Sequence, residues 1–261
     1  MTDPMNRGPG PIAILGALGE ELSPIEKALS GRRLVREGGG AYLAGTLAGH
    51  PVAVARTGIG ARSARRVADW LARTASPSLL IALGFCGGLR EGLAAGDLVL
   101  AEEVYEPPAP EGEGPREWQV GQDLLGPVLA AVPAGLRVER GRIVTSRTVL
   151  SRSAEKRSFG DRHQALAVDM ESSGIARAAN VHDLRALYAR AVVDDLAYDW
   201  PLDFGPLLTS EGRLRPLKAL AAVLRRPSAI KALPDLRGRA RLAASSLERF
   251  AIAAVGALAP P

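Results

Sequence analysis

The stretch Ala165–Asn180 reads Ala-Leu-Ala-Val-Asp-Met-Glu-Ser-Ser-Gly-Ile-Ala-Arg-Ala-Ala-Asn and changes its pattern partway along. It begins as a short apolar run and continues after Asp169 and Glu171 with apolar residues at helical spacing, which predicts a strand running into a helix. In open α/β sheets, ligands bind outside the carboxyl ends of the strands. The two carboxylates stand at such an end and need partners there, since a buried unpaired charge is costly. Sugar hydroxyls would suit, because one carboxylate can accept two of them.

The same alternation of strand and helix extends along much of the chain. It predicts an α/β fold, a single domain of three layers (α/β/α) around a central twisted mixed sheet. The predicted strands are Ile12–Leu18, a hairpin over Arg33–His50, Pro51–Arg56, Ser78–Leu83, Asp97–Val104, Arg142–Thr145 and Ala186–Val193. The predicted helices begin near Ser23-Pro24, Ala61 and Leu124, and one more begins by Ser158.

Composition narrows the class of protein. The chain has 261 residues, 47% of them hydrophobic and 23% charged, which suits one domain with a sizeable core. No apolar run reaches the roughly 18–20 residues of a membrane-spanning helix. A single cysteine and three scattered histidines predict no disulfide and no metal site. Met1–Pro11 is polar and lacks signal-peptide features, so we expect a disordered start and a cytoplasmic location.

The charge is unevenly distributed. The net charge of +5 favours an acidic partner, but aromatic residues are only 4% and do not alternate with basic ones, so we expect no nucleic acid partner. Residues 213–261 form a basic segment with helices predicted at Leu217–Arg225 and Pro234–Ala254, packed on the catalytic domain or extending it. Its basic side chains form either a solvated helix face or a surface that docks peripherally on anionic lipid.

Glycines cluster at three predicted strand ends and permit close approach of a ligand to the backbone. They match neither a dinucleotide-binding fingerprint nor a Walker loop. Together with the central stretch and one later strand end they make an ordered set of motifs: Gly16-Ala17-Leu18-Gly19-Glu20-Glu21, Thr57-Gly58-Ile59-Gly60, Gly84-Phe85-Cys86-Gly87-Gly88, Val168-Asp169-Met170-Glu171 and Arg190-Ala191-Val192-Val193-Asp194. In its order this set resembles the superfamily of purine nucleoside phosphorylase, uridine phosphorylase and methylthioadenosine nucleosidase.

The resemblance spans about Ile12–Ala197 and implies a nucleoside phosphorylase-like catalytic domain over residues 12–212. Breaking a purine–ribose bond builds negative charge on the base, and a buried carboxyl with a raised pKa can protonate the base at N7. The resemblance assigns that acid to Asp194, and the alternative is that Asp194 or Asp195 merely caps the next turn. It places Glu171 on the ribose hydroxyls and Met170 under the sugar, and the alternative for Glu171 is a helix N-terminal carboxylate.

The resemblance also names residues around the base and the nucleophile. Val168, Val149 and Leu150 fall where the family lines the base, and Val149 occupies the position of the usual aromatic stacker. Further expected contacts to the substrate come from Gly84 and Phe85.

Glu21 matches the glutamate that activates water in the nucleosidases, although it could be a solvated first-turn acid. Arg190 matches the arginine of the nucleophile pocket, and with Gly16 and Arg56 it is predicted to bind the nucleophile or phosphate. Ala82 and Phe85 depart from the phosphorylase pattern, so hydrolysis and phosphorolysis both stay open. No cofactor is expected. Inorganic phosphate would be a co-substrate if the reaction is phosphorolysis.

The C-terminal segment from Ser210-Glu211-Gly212-Arg213-Leu214 onward resembles the hopanoid-associated phosphorylase group. That resemblance implies removal of adenine from adenosylhopane, leaving ribosylhopane for hopanoid biosynthesis, and a lipid-linked substrate at the inner face of the membrane. The alternatives are a nucleosidase for methylthioadenosine, S-adenosylhomocysteine or futalosine, and a nucleoside-binding protein without catalysis. By the same resemblance we expect a homodimer or a higher homo-oligomer.

Overall fold

A computed structural model describes residues 10–109, 113–200 and 228–258 of the chain. One mixed sheet runs through it, flanked by helices. The strands are β1 Ile12–Gly16, β2 Ser30–Glu37, β3 Gly40–Leu47, β4 His50–Arg56, β5 Leu79–Gly88, β6 Leu98–Glu106, β7 Arg116–Gln119, β8 Val138–Thr145, β9 Ala167–Asp169 and β10 Ala186–Asp194. The helices are α1 Gly19–Ala28, α2 Ala61–Ala75, α3 Gln122–Ala130, α4 Ser153–His163, α5 Ser172–Val181 and α6 Ser228–Leu258. The predicted α/β class and mixed sheet are confirmed.

The sheet has the order β10-β6-β8-β9-β5-β1-β4-β3-β2, with β7 beside β6 and a further pairing of β10 with β5. Five strands therefore close into a ring: β5, β10, β6, β8 and β9, each paired with the next. The remaining strands β1, β4, β3 and β2 extend from β5 as an open sheet. Ring closure sets the ends of β5, β9 and β10 side by side, where the sequence motifs lie.

Several element bounds differ from the sequence-based prediction, and one strand was not predicted. The predicted end of β5 at Leu83 was wrong, because the strand continues through its glycines by pairing Gly84 with Arg190 and Gly87 with Val168. The short strand β7 was not predicted, and its pairing with β6 is what makes it a strand. Helix α1 begins at Gly19 and not near Ser23-Pro24.

The C-terminal helix α6 belongs to the same core as the sheet. It packs against α1, α3 and β10, and it buries Ala243, Leu247, Phe250, Ala251, Ala254 and Val255. The helix begins at Ser228, so Pro234 lies inside it and does not start it as predicted. The prediction of a helix over Leu217–Arg225 and of a disordered start falls on residues 201–227 and 1–9, outside the described residues. Of the helices that the structure describes, none has both the length and the apolar character needed to cross a bilayer.

Candidate active site

A cavity of about 220 Å³ opens at the ends of β1, β5, β9 and β10. Its wall brings together most of the side chains that the motifs singled out, from stretches far apart in sequence. The lining includes Glu21, Phe85, Val149, Leu150, Val168, Met170, Glu171 and Asp194. Val149, Leu150 and Val168 make part of this wall apolar, as the wall of a base-binding site should be.

Glu21 lies in the first turn of α1, directly after β1, and is only 3% exposed. Its Oε2 accepts hydrogen bonds from the backbone amides of Ala17 (2.6 Å) and Leu18 (2.8 Å), and its Oε1 accepts one from the amide of Phe85 (2.8 Å). The first two bonds satisfy amides at the helix start, which is why α1 begins earlier than expected. Burial raises the pKa of Glu21, while these donors and the charge of Arg190 oppose the increase. A solvated first-turn acid does not fit this environment.

Arg190 is fully buried in β10. Its Nη2 lies 2.7 Å from Oδ2 of Asp169, and its Nε and Nη2 both donate to the hydroxyl of Ser172. Its Nη1 is buried and makes no hydrogen bond to any residue that the structure describes. A Cβ built on Gly84 would collide with Nη1 and would lie 3.1 Å from Oε1 of Glu21. Nη1 and the Glu21 carboxylate therefore both border the space that a side chain on Gly84 would fill.

Gly84 serves this arrangement through its lack of a side chain. It pairs with Arg190 across the β5–β10 ladder, so the guanidinium folds back over its Cα. Only glycine leaves room for that. Gly84 does not line the cavity.

Asp169 is satisfied by protein groups and not by a sugar as the sequence had suggested. Oδ1 accepts the hydroxyl of Thr145, and Oδ2 accepts the amide and hydroxyl of Ser172 and the Arg190 guanidinium. This network holds the guanidinium in one orientation, because every partner is itself buried.

Glu171 stands at the N-cap position of α5, but its side chain makes no capping bond to that helix. Instead, Oε1 accepts the amide of Gly60 at 2.8 Å, from the start of α2. Burial, and then the neighbouring charge of Asp169, raise the pKa of Glu171 to about 8. Glu171 therefore stands at the N-terminus of α5, as the alternative assignment expected, and its carboxyl also lies on the cavity wall beside Met170.

Asp194 ends β10 and is 6% exposed. Its Oδ2 accepts Nζ of Lys156 at 3.0 Å and Nε1 of Trp200 at 2.9 Å. Burial raises the pKa of Asp194 to about 6, against the lowering effect of Lys156. The amide of Ala197 in the following turn is bound by Asp195, so the turn-capping alternative belongs to that neighbour.

Two predicted anion-binding residues lie elsewhere. Arg56 forms a two-pronged ion pair with Glu26 (3.0 and 2.6 Å), is 53% exposed at its side chain and is not part of the cavity wall. Gly16 lies behind the wall, where its carbonyl accepts the amide of Thr57 and a Cβ would press against Leu22. The structure therefore does not bring Arg56 and Gly16 to the cavity.

Sequence reasoning missed Lys156 and Trp200. Lys156 lies in the polar helix α4, whose composition resembles an exposed helix, and the proline-rich surroundings of Trp200 resemble a surface loop. The one available signal in the sequence was a large aromatic residue, Trp200, only six positions after Asp194. Among the residues that the structure describes, no group of three or more His, Cys, Asp or Glu stands where it could hold a metal ion.

The fold and the site together define a class: an α/β protein with buried carboxylates around a small, partly apolar cavity. The family model of the phosphorylase superfamily matches residues 11–205, and the chain belongs to that superfamily. The match covers the whole of the motif set from which the resemblance was drawn.

Solved structures with the same fold include several nucleosidases for methylthioadenosine and S-adenosylhomocysteine (MTA/SAH). The Streptococcus pneumoniae enzyme in complex with 8-aminoadenine is 21% identical, with a TM-score of 0.74, over 95% of this chain and 100% of that one. The Neisseria meningitidis enzyme in complex with methylthio-immucillin-A is 22% identical, with a TM-score of 0.73, over 95% and 100%. The S-adenosylhomocysteine nucleosidase of Streptococcus pyogenes in complex with 5-methylthiotubericidin is 17% identical, with a TM-score of 0.75, over 98% and 100%.

Proposed function

We propose that this protein cleaves the N-glycosidic bond of a 5′-substituted adenosine by hydrolysis and releases adenine. The observation that carries the proposal is that the unused Nη1 of Arg190 and the Glu21 carboxylate both lie next to Gly84, and that Glu21 lines the same cavity as Asp194. An acid for the leaving base and a site for the nucleophile are then both present. Glu171 supplies a further buried carboxyl group for the sugar.

Asp194 is the proposed general acid. As the C1′–N9 bond breaks, its electron pair passes to the purine, and the proton of Asp194 moves to N7. A carboxyl with a pKa of about 6 is partly protonated near neutral pH, which suits this task. Positive charge builds on the ribose at the same time. The carboxylates around the cavity stabilise that charge more in the transition state than in the ground state.

Glu21 and Arg190 are proposed to hold the attacking water. The water would donate one hydrogen to Glu21 and accept a hydrogen bond from Nη1 of Arg190, and its oxygen would form the new bond to C1′ while its proton passes to Glu21. Three backbone donors hold the Glu21 carboxylate in place.

Phosphorolysis is the less favoured route. Among the described residues that line the cavity there is no lysine or arginine, and Arg190, which is not on the lining, has one unused donor, Nη1. A doubly charged phosphate is held best by several cationic donors, whereas a neutral water needs only one donor and a carboxylate acceptor. Arg56, the other arginine predicted to bind phosphate, is paired with Glu26 and does not line the cavity.

For the 5′ substituent, adenosylhopane is the first proposal, with ribosylhopane as the second product. The support is the resemblance of the C-terminal segment to the hopanoid-associated group, much of which lies outside the described residues. Peripheral contact with the inner face of the membrane and a homodimeric or larger assembly are part of this proposal. The second candidate is an MTA/SAH nucleosidase, which the names of the structurally similar enzymes favour.

An assay of adenine release tests both the hydrolytic route and the identity of the 5′ substituent. The substrates are adenosylhopane, methylthioadenosine, S-adenosylhomocysteine and futalosine, each with and without phosphate. Adenine and a free reducing sugar in phosphate-free buffer support hydrolysis, and the fastest substrate identifies the 5′ group. A sugar 1-phosphate formed only with phosphate would overturn the hydrolytic route. Tight nucleoside binding without any turnover would favour the non-catalytic alternative.

A further inference from the structure

Lys156 on α4 is among the largest fully buried side chains, with an exposure of 0%. Its ammonium donates to three oxygens: Oδ2 of Asp194 (3.0 Å) and the backbone carbonyls of Asp195 (2.5 Å) and Tyr198 (2.8 Å). An ammonium has three protons, so all of its donors are used. Because an unpaired charge at full burial is very costly, these bonds are what permit a lysine at this position.

A second donor reaches the same carboxyl oxygen. Nε1 of Trp200 lies 2.9 Å from Oδ2 of Asp194, and the carbonyls that Lys156 binds belong to the segment that leads to this tryptophan. Gly87 on β5 keeps the approach to the carboxyl open, since a Cβ there would lie 3.3 Å from Oδ2 and 3.4 Å from Oδ1. Lys156 and Trp200 thus both hold Oδ2 of Asp194.

A proton on Oδ2 would face two hydrogen-bond donors and would have to displace one of them. The neutral form of the carboxyl therefore carries its proton on Oδ1. Resting on the proposed function, we propose that Lys156 is a positioning residue that holds Oδ2 of Asp194 and directs the transferable proton, on Oδ1, toward the leaving base.

Among the described ionisable groups around Asp194, Lys156 is the cation in direct contact with its carboxyl group. The neighbouring groups are neutral or are paired with other residues. Burial raises the pKa of Cys86 on β5 well above its ordinary value, so that thiol stays neutral. Arg190 on β10 is paired with Asp169, and Asp195 is paired with Arg239 of α6 at 2.8 Å. Burial also raises the pKa of Tyr198.

The pKa of Asp194 provides a readout that does not depend on turnover. It can be followed by NMR in protein labelled with ¹³C at the aspartate γ-carbon, with Asp194→Asn identifying the signal. An opposite charge in contact lowers an aspartate pKa by about 1–3 units, so Lys156→Met should raise it by a similar amount from the wild-type value. Trp200→Phe removes the neutral donor and should raise it less.

Arg157→Met is the matched control. Arg157 is the next residue of α4 and forms an exposed ion pair with Glu91, so the Asp194 signal should titrate as in the wild type. If neither Lys156→Met nor Trp200→Phe moves the Asp194 titration, the proposal is wrong. Should Lys156→Met fail to fold, Lys156→Gln, which also removes the charge, takes its place in the same titration.

Kinetics separates positioning from a merely structural role. In Lys156→Met the fall of kcat at alkaline pH should move to higher pH, because it follows the pKa of Asp194. The plateau kcat should fall by roughly 10²-fold, because the acid is misplaced, and KM should change little. A uniform loss at every pH with an unmoved limb would contradict the proposal. If the wild type releases no adenine from any nucleoside, the proposed function fails, while the NMR titration still tests Lys156.

Discussion

Replacing Arg190 by methionine should destabilise the protein far more than removing a surface arginine. The guanidinium and the carboxylate of Asp169 lie 2.7 Å apart, and their side chains are 1% and 0% exposed. Methionine keeps the apolar stem but leaves the carboxylate of Asp169 with only neutral donors from Thr145 and Ser172. Removing one partner of a buried ion pair costs about 3–5 kcal/mol.

For a protein of this size, each kcal/mol moves the thermal midpoint by about 2–4 °C. Arg190→Met should therefore lower the midpoint by about 6–20 °C in differential scanning calorimetry. The control is Arg185→Met, just before β10, where Arg185 pairs with Asp123 and both side chains are 58% exposed. Exposed pairs contribute about 0–1 kcal/mol, so this midpoint should move by no more than about 4 °C.

A double-mutant cycle with Asp169→Asn shows whether the loss comes from the pair itself. If it does, the double variant should be less destabilised than the sum of the single variants, by about 0.5–3 kcal/mol. Strictly additive effects, or an Arg190→Met midpoint as close to the wild type as that of Arg185→Met, would refute the reasoning.

Three further outcomes follow from the site. Asp194→Asn should lower kcat for adenine release by about 10²–10⁴-fold with KM little changed, and an unchanged kcat in steady-state assays would remove it from the mechanism. Gly84→Ala places a Cβ against Arg190 Nη1 and should cost about 1–3 kcal/mol by calorimetry, whereas Gly88→Ala, with no contact under 3.5 Å, should cost less. Glu171, with its pKa raised from 4.5 to about 8, holds a proton when folded that the unfolded chain releases, so stability falls as pH rises through this window. Glu171→Gln should remove that fall, and parallel curves of midpoint against pH would contradict this.

The order and type of most elements followed from local pattern. The hairpin of β2 and β3, which was predicted over Arg33–His50, turns at Gly38 and Gly39, both with positive φ. Helix α2 begins at Ala61 as predicted, because apolar spacing in one segment identifies a helix face without knowledge of its partner. Strand ends and helix starts were less accurate, since β5 needs β9 and β10 beside it to continue through its glycines.

By itself the sequence determined which carboxylates stand at strand ends, because a change of periodicity marks each junction between elements. Only the tertiary structure decided what each charged group does there. Arg190 and Arg56 have the same charge, but ring closure buries the first against Asp169, and Glu26 holds the second at the surface. Lys156 reaches Asp194 from 38 residues away in the chain. Burial and ion pairing depend on such distant neighbours, and they set the pKa values and the unused donor on which the proposed chemistry rests.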